Sequence, residues 1–424
     1  MINFKNTPLL FSNLSAFFFF ALFLSVKSAY SWAIGLTLLT AIISTKNIIN
    51  QKLDQKTIVL AVFFLLTGVV WSHTFDGWFT WSTEGDYFAK YALGAFCTIA
   101  LCSTTIQPRF LIYGLSIGCL SAATLAMLQF PESGRAAGYT NAIRFGNIAI
   151  LMGFSCWIFS CTKSIKIQER LWLLLAGSLG ILASFLSLSR GGWLLFLALP
   201  FFAAFIAKKY IQNHRKKILF ISILALAAGI LAIQNTPILR DRVLLVQKEV
   251  QGYFHHKDVY ATSSVGARLE QWHLAWNLGW EKPFTGWGDQ GIHLAKEQYV
   301  EAQKAHPSIF EIHHSHNDLL EMWARRGIFG VVFILGIYLI PILVFFPTQK
   351  SISRIQQEKK SEYIALHLIG LLLPTGYFIF GLTDVFFNLS IGHHFYIFAQ
   401  IFILAAIQGM QQSFPAPHIK LSHP

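Results

Sequence analysis

The sequence predicts an all-α, polytopic membrane protein with about twelve transmembrane helices and one large helical loop. Of its 424 residues, 54% are hydrophobic and only 12% are charged, and the mean hydropathy is +0.52. A soluble chain needs roughly a quarter of charged residues to cover its surface, so lipid must cover much of this one. Apolar segments also recur along the chain, and basic residues concentrate between them.

Each predicted transmembrane helix corresponds to an apolar segment close to the roughly 20 residues that span a bilayer. Twelve such segments lie at 9–26, 30–43, 57–71, 88–102, 110–130, 142–161, 171–188, 193–207, 218–233, 327–346, 363–380 and 391–407. They divide the chain into helices 1–9 (residues 1–233), a polar loop (residues 234–326), and helices 10–12 with a short cytoplasmic tail (residues 327–424). The first segment could pass for a signal peptide, but Lys27 and the later segments favour an uncleaved helix.

Membrane topology explains the net charge of +13. Basic residues are frequent in alternate short connections, which is typical of cytoplasmic loops. We therefore expect both termini in the cytoplasm, the polar loop on the outer face, and no nucleic-acid partner. Members of the basic set are Lys46, Lys52, Lys56, Arg109, Lys163, Lys166, Arg170, Lys208, Lys209, Arg215, Lys216, Lys217, Lys350, Arg354, Lys359 and Lys360. The five cysteines lie in or beside apolar segments and form neither a disulfide framework nor a zinc motif.

The polar loop is long enough, at about 90 residues, to hold a small helical subdomain. Residues 265–278 form its clearest amphipathic helix, because Leu269, Trp272 and Trp276 recur at helical spacing. Ser264 is placed to cap this helix, and Gly279 with the proline at 283 is expected to end it.

Two arginines on the outer face are candidate anion ligands. Arg190 lies in the short turn Ser-Arg-Gly-Gly at 189–192, where the glycines would let the backbone approach a ligand. The alternative is an arginine that snorkels to the membrane surface. Arg268 lies near the start of the amphipathic helix, whose free N–H groups also favour anions. Its alternative role is a plain ion pair with Glu270 or another acid.

A third cluster surrounds His316, in the segment from His313 to Glu321 that precedes Arg325 and Arg326. Asn317 is a good N-cap for the helix that follows, which places His316 at the boundary between water and membrane. A histidine there can accept a proton near neutral pH. Two alternatives are a solvated polar loop and a metal site. The metal ligands would be His313, His314, His316 and Asp318.

Two arginines and a histidine on one face of the membrane favour a particular chemistry. Guanidinium groups bind phosphate oxygens as forks, and a neutral histidine can remove the proton of a hydroxyl. Together they indicate displacement of a phosphate leaving group by an alcohol, at the level of a lipid head group.

At these residues the chain resembles the O-antigen ligase family, which shares its core with O-antigen polymerases and protein O-oligosaccharyltransferases. The resemblance rests on the twelve-helix layout and on the large loop between the ninth and tenth helices. It also rests on Ser-Arg-Gly-Gly at 189–192, Arg-Leu-x-x-Trp at 268–272 and His-Asn-Asp-x-Leu-Glu at 316–321. Residues 134–147 are similar to the outer loop that the family carries between its fifth and sixth helices.

The resemblance implies a GT-C-like glycosyltransferase architecture in the bacterial inner membrane, with the active site on the periplasmic face. The implied donor is a glycan linked to undecaprenyl diphosphate, and the implied acceptor is a hydroxyl of lipid A–core. Transfer would be metal-independent and inverting, without a cofactor.

Carried over residue by residue, the resemblance also implies roles. Arg190 and Arg268 match the arginines that hold the donor diphosphate, and His316 matches an essential histidine, so these three are the candidate catalytic residues. Asp384, in the sequence Gly-Leu-Thr-Asp at 381–384, resembles an acid near the last helix. With Arg190 and Arg268, the candidate substrate-binding set is completed by Asp384, Arg135, Arg325 and Arg326.

Alternative functions within the resemblance are an O-antigen polymerase and a protein O-oligosaccharyltransferase. Oligosaccharyltransferases of this kind are usually longer at the C-terminus than this chain. A lipid transporter is the alternative from a different class. Transporters place ionisable groups near the bilayer midplane and show paired halves, whereas these groups are predicted at one surface.

Overall fold

The computed structural model describes residues 7–45, 53–72, 86–196, 237–311 and 313–413, and these residues form helices and connecting turns without any β-strand. The α-helices are α1 (Thr7–Leu22), α2 (Ala29–Ile43), α3 (Gln55–Ser72), α4 (Asp86–Thr104), α5 (Pro108–Ser133), α6 (Ala142–Ser160), α7 (Ile167–Leu186), α8 (Pro237–His255), α9 (Lys257–Tyr260), α10 (Gly266–Glu281), α11 (Gly288–Glu301), α12 (Asp318–Phe345), α13 (Gln349–Ser353), α14 (Lys360–Gly381) and α15 (Ser390–Gln412). Residues 190–196 are also helical. Three short 3₁₀ helices cover Pro307–Phe310, Gln357–Lys359 and Phe386–Asn388.

Within the described residues, seven helices are long and apolar enough to cross a membrane: α3, α5, α6, α7, α12, α14 and α15. Helices α1 and α2 are apolar but shorter. The prediction of an all-α, multi-pass membrane protein is therefore confirmed. The predicted segment 193–207 is described only as far as residue 196, and the predicted segment 218–233 lies outside the described residues.

Helices α6 and α15 lie at the centre of the helix bundle, because 83% of the apolar stretch of each helix is buried. Aromatic rings fill the space between α15 and α1. The Phe19 ring lies 6.0 Å from that of Phe395 and 5.2 Å from that of Phe402, measured between centroids. Such offset and tilted arrangements are the ones that aromatic rings prefer. A helix that is buried on all sides needs no polar face, and α6 accordingly carries apolar residues around most of its circumference.

Helices α8 to α11 form a polar subdomain with its own small core of Leu274, Leu278, Ile292, Ala295 and Ile309. The predicted helix 265–278 is confirmed as α10, which extends to Glu281. Its buried face carries Leu274 and Leu278 and not the predicted Trp276, which is 52% exposed. The prediction that Ser264 caps this helix is wrong. The N-cap position is Val265, and the Ser263 hydroxyl accepts the hydrogen bond from Gly266 N at 3.1 Å.

The subdomain packs against α12. This helix begins at Asp318, nine residues before the start of the predicted segment at 327. At this contact Gly327 has a left-handed φ of 57°, and Pro283 O accepts a hydrogen bond of 2.7 Å from Ile328 N. A Cβ on Gly327 would lie 2.5 Å from that same Pro283 oxygen. Glycine therefore permits both the kink in α12 and the close approach of the subdomain.

Candidate active site

The candidate active site centres on the Asp384 carboxylate, in the turn between α14 and α15. Its Oδ1 atom lies 3.1 Å from His316 Nδ1, and its Oδ2 atom lies 2.9 Å from Arg144 Nη1. The side chains of Asp384 and Arg144 are only 2% and 3% exposed, whereas that of His316 is 16% exposed. A buried ion pair thus holds one side of a histidine whose other side is accessible.

The chain before α12 positions His316. Asn317 caps this helix as predicted, because its Oδ1 atom accepts from Leu319 N at 3.0 Å and from Leu320 N at 3.1 Å. Ser315 N donates a 2.6 Å hydrogen bond to the buried carboxylate of Glu321. Between these two anchors His316 has φ +54°, which is uncommon for a residue other than glycine. Such backbone conformations cluster at functional sites.

Arg144 begins α6, where the Asn141 side chain caps the helix by accepting from Arg144 N at 2.9 Å. The Arg144 guanidinium also donates to Val385 O, next to Asp384. It therefore fixes the backbone as well as the carboxylate of this turn. Arg144 is not among the site residues predicted from the sequence. The sequence signal that could have identified it is its place inside the family-like segment 134–147.

The neighbours of the Asp384 carboxylate determine its protonation state. Burial raises the pKa of Asp384, but the hydrogen bond from His316 and the charge of Arg144 outweigh burial and hold the pKa below its usual value. An ionised carboxylate can only accept, so in a neutral His316 ring the proton lies on Nδ1. The lone pair then lies on Nε2, which can serve as a base.

His314 lies beside His316, with 4.5 Å between the ring centroids. Burial, followed by the charge of His316, lowers the pKa of His314. Ligand atoms of His314, His316 and Asp384 lie within 4.8 Å of one another, so these residues could hold a metal ion. Asp384 completes this group instead of Asp318, whose Oδ2 atom accepts from Tyr338 at 2.7 Å. An ion here would share Asp384 with the Arg144 guanidinium, whose positive charge opposes metal binding.

The structure brings together three of the predicted arginines. Burial lowers the pKa of Arg268, and the charge of Arg190 lowers it further while Asp384 opposes the change. Burial and then the charge of Arg190 likewise lower the pKa of Arg135. Arg190 therefore lies within electrostatic reach of both. Like charges that interact in this way repel one another, and an anion bound near Arg190 would relieve that repulsion.

The proposed pairing of Arg268 with Glu270 is wrong. Glu270 lies 2.8 Å from Lys257 Nζ and accepts from the Tyr253 hydroxyl, so it holds α8, α9 and α10 together.

The exposed Arg190 begins the helical segment 190–196. The turn before this segment contains Ser187, whose carbonyl oxygen accepts a 2.8 Å hydrogen bond from Arg135 Nε. Arg135 and Arg190 are thus both attached to this turn.

The Gly-Gly pair after Arg190 approaches other parts of the protein. A Cβ on Gly191 would lie 2.9 Å from Thr383 Oγ1, and one on Gly192 would lie 2.8 Å from Asn147 Oδ1. Ser189 Oγ donates to the same Asn147 oxygen at 3.1 Å. The small residues therefore let the Arg190 turn pack against α6 and against the residue before Asp384. This contact couples the arginine cluster to the histidine–aspartate pair.

Arg325 and Arg326 lie apart from this cluster. Arg325 forms ion pairs with Glu321 and Asp289 and donates to His313 O at 3.3 Å. Arg326 donates to Trp71 O at 2.7 Å and lies 3.6 Å from Asp289. Both guanidinium groups line a separate cleft of about 320 Å³. Their part in substrate binding remains a prediction.

Two comparisons with known proteins concern the family of this chain. A protein of Haemophilus influenzae, described only as uncharacterized, is 24% identical over 309 residues, which cover 70% of this chain and 73% of that protein. A sequence model of the O-antigen ligase family matches residues 175–335, the region that contains Arg190, Arg268 and His316. The match at residues 175–335 supports the assignment of this chain to the O-antigen ligase family.

Proposed function

We propose that the protein is an O-antigen ligase of lipopolysaccharide biosynthesis. It transfers O-antigen glycan from undecaprenyl diphosphate to a hydroxyl of lipid A–core, on the periplasmic face of the inner membrane. The family match supports a glycosyl-transfer function of the ligase or polymerase type. The observation that carries the proposal is the His316–Asp384–Arg144 chain beside the cluster of Arg190 and Arg268.

In the proposed reaction, His316 Nε2 accepts the proton of the acceptor hydroxyl as the oxygen attacks the anomeric carbon of the donor sugar. The bond from that carbon to the diphosphate oxygen breaks on the opposite face, which inverts the configuration. Arg190 and Arg268, with Arg135 nearby, neutralise the charge that develops on the leaving diphosphate. Because the sugar–diphosphate bond is already activated, alignment and charge neutralisation suffice, without a metal ion.

Asp384 acts through His316 in this scheme. Its carboxylate orients the imidazole and keeps the proton on Nδ1, as a positioned carboxylate does for a catalytic histidine in other enzymes. It also offsets the positive charge that His316 gains with the acceptor proton. Arg144 keeps Asp384 ionised and fixed in place.

The proposal includes a topology of twelve transmembrane helices with both termini in the cytoplasm. Residues 234–326 then form the periplasmic loop between helices 9 and 10. The bias of lysine and arginine toward one set of short connections supports this orientation. Cysteines introduced at position 258, which is exposed, should react with an impermeant reagent in intact spheroplasts, and those at position 215 should not. The reverse pattern would overturn the orientation and the side of the chemistry.

The function is tested with purified full-length protein, undecaprenyl-diphosphate-linked glycan and lipid A–core. A ligase forms capped lipopolysaccharide and releases undecaprenyl diphosphate, and His316→Ala should not. Lengthening of the lipid-linked glycan itself would identify a polymerase, and transfer to serine or threonine of a peptide would identify an oligosaccharyltransferase. Movement of intact donor across vesicles without bond cleavage would identify a transporter.

A further inference from the structure

A cleft of about 320 Å³ lies beside the candidate active site, between the end of α3, the starts of α4, α11 and α12, and the turn before α15. Val385, which lines the cleft, directly follows Asp384 in the chain. Glu321, which also lines it, accepts the hydrogen bond from Ser315 N, next to His316. The cleft is thus adjacent to Asp384 in the chain and is linked to His316 through the hydrogen bond between Glu321 and Ser315.

The charges that line this cleft are balanced. Its three cations are Lys90, Arg325 and Arg326, and its three carboxylates are Asp86, Asp289 and Glu321. Each cation already has a carboxylate partner: Lys90 Nζ lies 3.4 Å from Asp86, and Arg325 and Arg326 both contact Asp289. A phosphate entering the cleft would meet three carboxylates and paired cations. The lining therefore disfavours an anion, in contrast to the cluster of Arg135, Arg190 and Arg268.

Two buried donors on the cleft wall favour a ligand that carries oxygen atoms. Trp71 is 1% exposed and Arg326 is 8% exposed. Within the described part of the chain, Trp71 Nε1 and Arg326 Nε have no hydrogen-bond acceptor. A buried N–H without a partner is destabilising, so a ligand oxygen that reaches these atoms would be favourable. Ligand hydroxyl groups could also donate to the carboxylates of the lining.

Aromatic side chains complete the lining. Trp71, Tyr87 and Phe387 all line the cleft, close to the polar groups. Trp71 and Phe387 are almost fully buried, so the partly exposed Tyr87 offers the accessible aromatic surface. A sugar ring presents C–H groups on its faces and hydroxyl groups around its edge, so it can satisfy aromatic rings, N–H donors and carboxylates together. The cleft also has the size of a small-ligand pocket, which starts at about 300 Å³.

We propose that this cleft is a subsite for an uncharged sugar unit during glycosyl transfer. The proposal rests on the proposed function, because it assumes that a glycan approaches His316. Two sources share the required chemistry: the terminal sugar of the acceptor and a sugar of the donor glycan. The undecaprenyl diphosphate itself is assigned to the arginine cluster.

The test fills the cleft without touching the arginine cluster or His316. Ser390 lines the cleft, and its hydroxyl accepts a 2.9 Å hydrogen bond from Lys90. Ser390→Phe places an aromatic ring in that space, and Leu389→Trp does so from the 40% exposed rim. Ser178→Phe is the matched control, because Ser178 is an exposed serine on the apolar helix α7. Transfer kinetics are measured with full-length protein, varying acceptor and donor separately.

Either filled variant should raise the KM of one glycan substrate by about tenfold or more, the equivalent of about 1.4 kcal/mol. Binding of sugar-free undecaprenyl diphosphate should stay within about twofold of wild type. A raised acceptor KM identifies the acceptor as the source, and a raised donor KM identifies the donor. The control should change none of these quantities. Wild-type KM values in both filled variants would overturn the proposal, and so would loss of lipid diphosphate binding.

A direct binding measurement separates this proposal from the proposed function. A neutral oligosaccharide cut from the acceptor and one cut from the donor glycan are each titrated into full-length protein, and binding is followed by saturation-transfer NMR. Wild type should bind at least one of the two, and Ser390→Phe should not bind it, even if no glycosyl transfer is found. If transfer occurs but neither variant alters sugar binding or KM, the cleft proposal fails and the proposed function stands.

Discussion

His316 Nδ1 and Asp384 Oδ1 lie 3.1 Å apart although 68 residues separate them in the chain. The first residue precedes α12 and the second lies in the turn before α15. Arg144, at the start of α6, holds the other carboxylate oxygen at 2.9 Å. The proposed base therefore depends on the ends of three different helices, and only one of them carries the His-Asn-Asp motif.

Asp384→Asn tests whether the carboxylate orients His316. The amide can still occupy the space, but it can present its NH₂ group to Nδ1 and favour the wrong tautomer. We expect glycan transfer to fall by up to about 10⁴-fold, the loss seen when the orienting acid of a catalytic triad is replaced by asparagine. Binding of the lipid-linked donor should change little. Initial rates and donor binding measure the two effects, with Asp241→Asn on the exposed face of α8 as a control. A nearly normal rate in Asp384→Asn would remove Asp384 from the mechanism.

The Arg144–Asp384 ion pair should stabilise the fold when both partners are present. Arg144→Met leaves a buried carboxylate without its cation, and breaking a buried pair in this way is destabilising by about 3–5 kcal/mol. The double variant Arg144→Met with Asp384→Asn should be more stable than Arg144→Met alone, because it leaves no unpaired charge. Thermal unfolding of the purified variants in detergent gives the comparison. Equal stability of the single and double variants would contradict a buried ion pair.

The Arg144–Asp384 ion pair also predicts how the free energy of unfolding changes as the pH falls. The folded-state pKa of Asp384 is lower than the usual value of about 3.9, so the stabilising contribution is present above that value. It is lost only as the pH falls through the lower folded-state pKa. The stability that Asp384 contributes relative to Asp384→Asn should therefore not decrease between about pH 7 and about pH 5. A difference that disappears within this range would show that Asp384 is protonated there.

Arg190→Lys and Arg268→Lys test the anion site. Lysine keeps the positive charge but lacks the planar fork that binds two phosphate oxygens, so we expect transfer and donor affinity to fall strongly in both. The effect should be about tenfold or more for each, with the protein still folded and inserted. Arg240→Lys on the exposed face of α8 is the matched control. Normal donor affinity in both variants would mean that these arginines serve only folding or membrane anchoring.

Much of the fold could be predicted because lipid imposes a strict requirement on transmembrane helices. Each needs about 20 apolar residues, and polar breaks between them are visible in the sequence. Local motifs were also predictable where a cap acts on its own helix. Asn317 caps α12 as expected. For α10 the expected cap at Ser264 was one residue away from the serine that accepts the hydrogen bond.

The centre of the site was harder to predict because its partners are distant in sequence. Arg144 and Asp384 form a buried pair only when α6 meets the turn before α15, and no local pattern indicates that contact. Arg325 resembles a free cation beside the histidine motif, but its partner Asp289 lies 36 residues away on another helix. Hydropathy patterns locate helices, whereas ion pairs of this kind depend on how the helices pack.

Metal dependence is the next prediction. The ligand atoms of His314, His316 and Asp384 are close enough to hold an ion, but Arg144 already neutralises the carboxylate. The arginine cluster can stabilise the leaving diphosphate without a metal. Purified protein should therefore transfer glycan at an undiminished rate in excess EDTA. Loss of activity that Mn²⁺ or Mg²⁺ restores would contradict this mechanism and assign these three residues as ligands.

The last prediction assigns His316 as the base that takes the acceptor proton. His316→Ala should lower transfer by roughly 10²–10⁴-fold, which is the usual contribution of a positioned base. His316→Asn serves as the control for folding, because asparagine tolerates the left-handed backbone found at this position. It should insert normally and be equally inactive. These two variants alone do not distinguish a base from a third cation that binds the diphosphate.

The two roles of His316 differ in which protonation state is active. A base works when neutral, so wild-type transfer should rise with pH across the range where histidine loses its proton and then reach a plateau. A diphosphate-binding cation works when protonated, so transfer would fall across the same range. His316→Lys and His316→Arg decide between them, because both restore the charge and both are poor bases at neutral pH. We expect neither to recover transfer above the level of His316→Ala. Substantial recovery in either variant would place His316 with Arg190 and Arg268 in the anion site, and the proton would then need another acceptor.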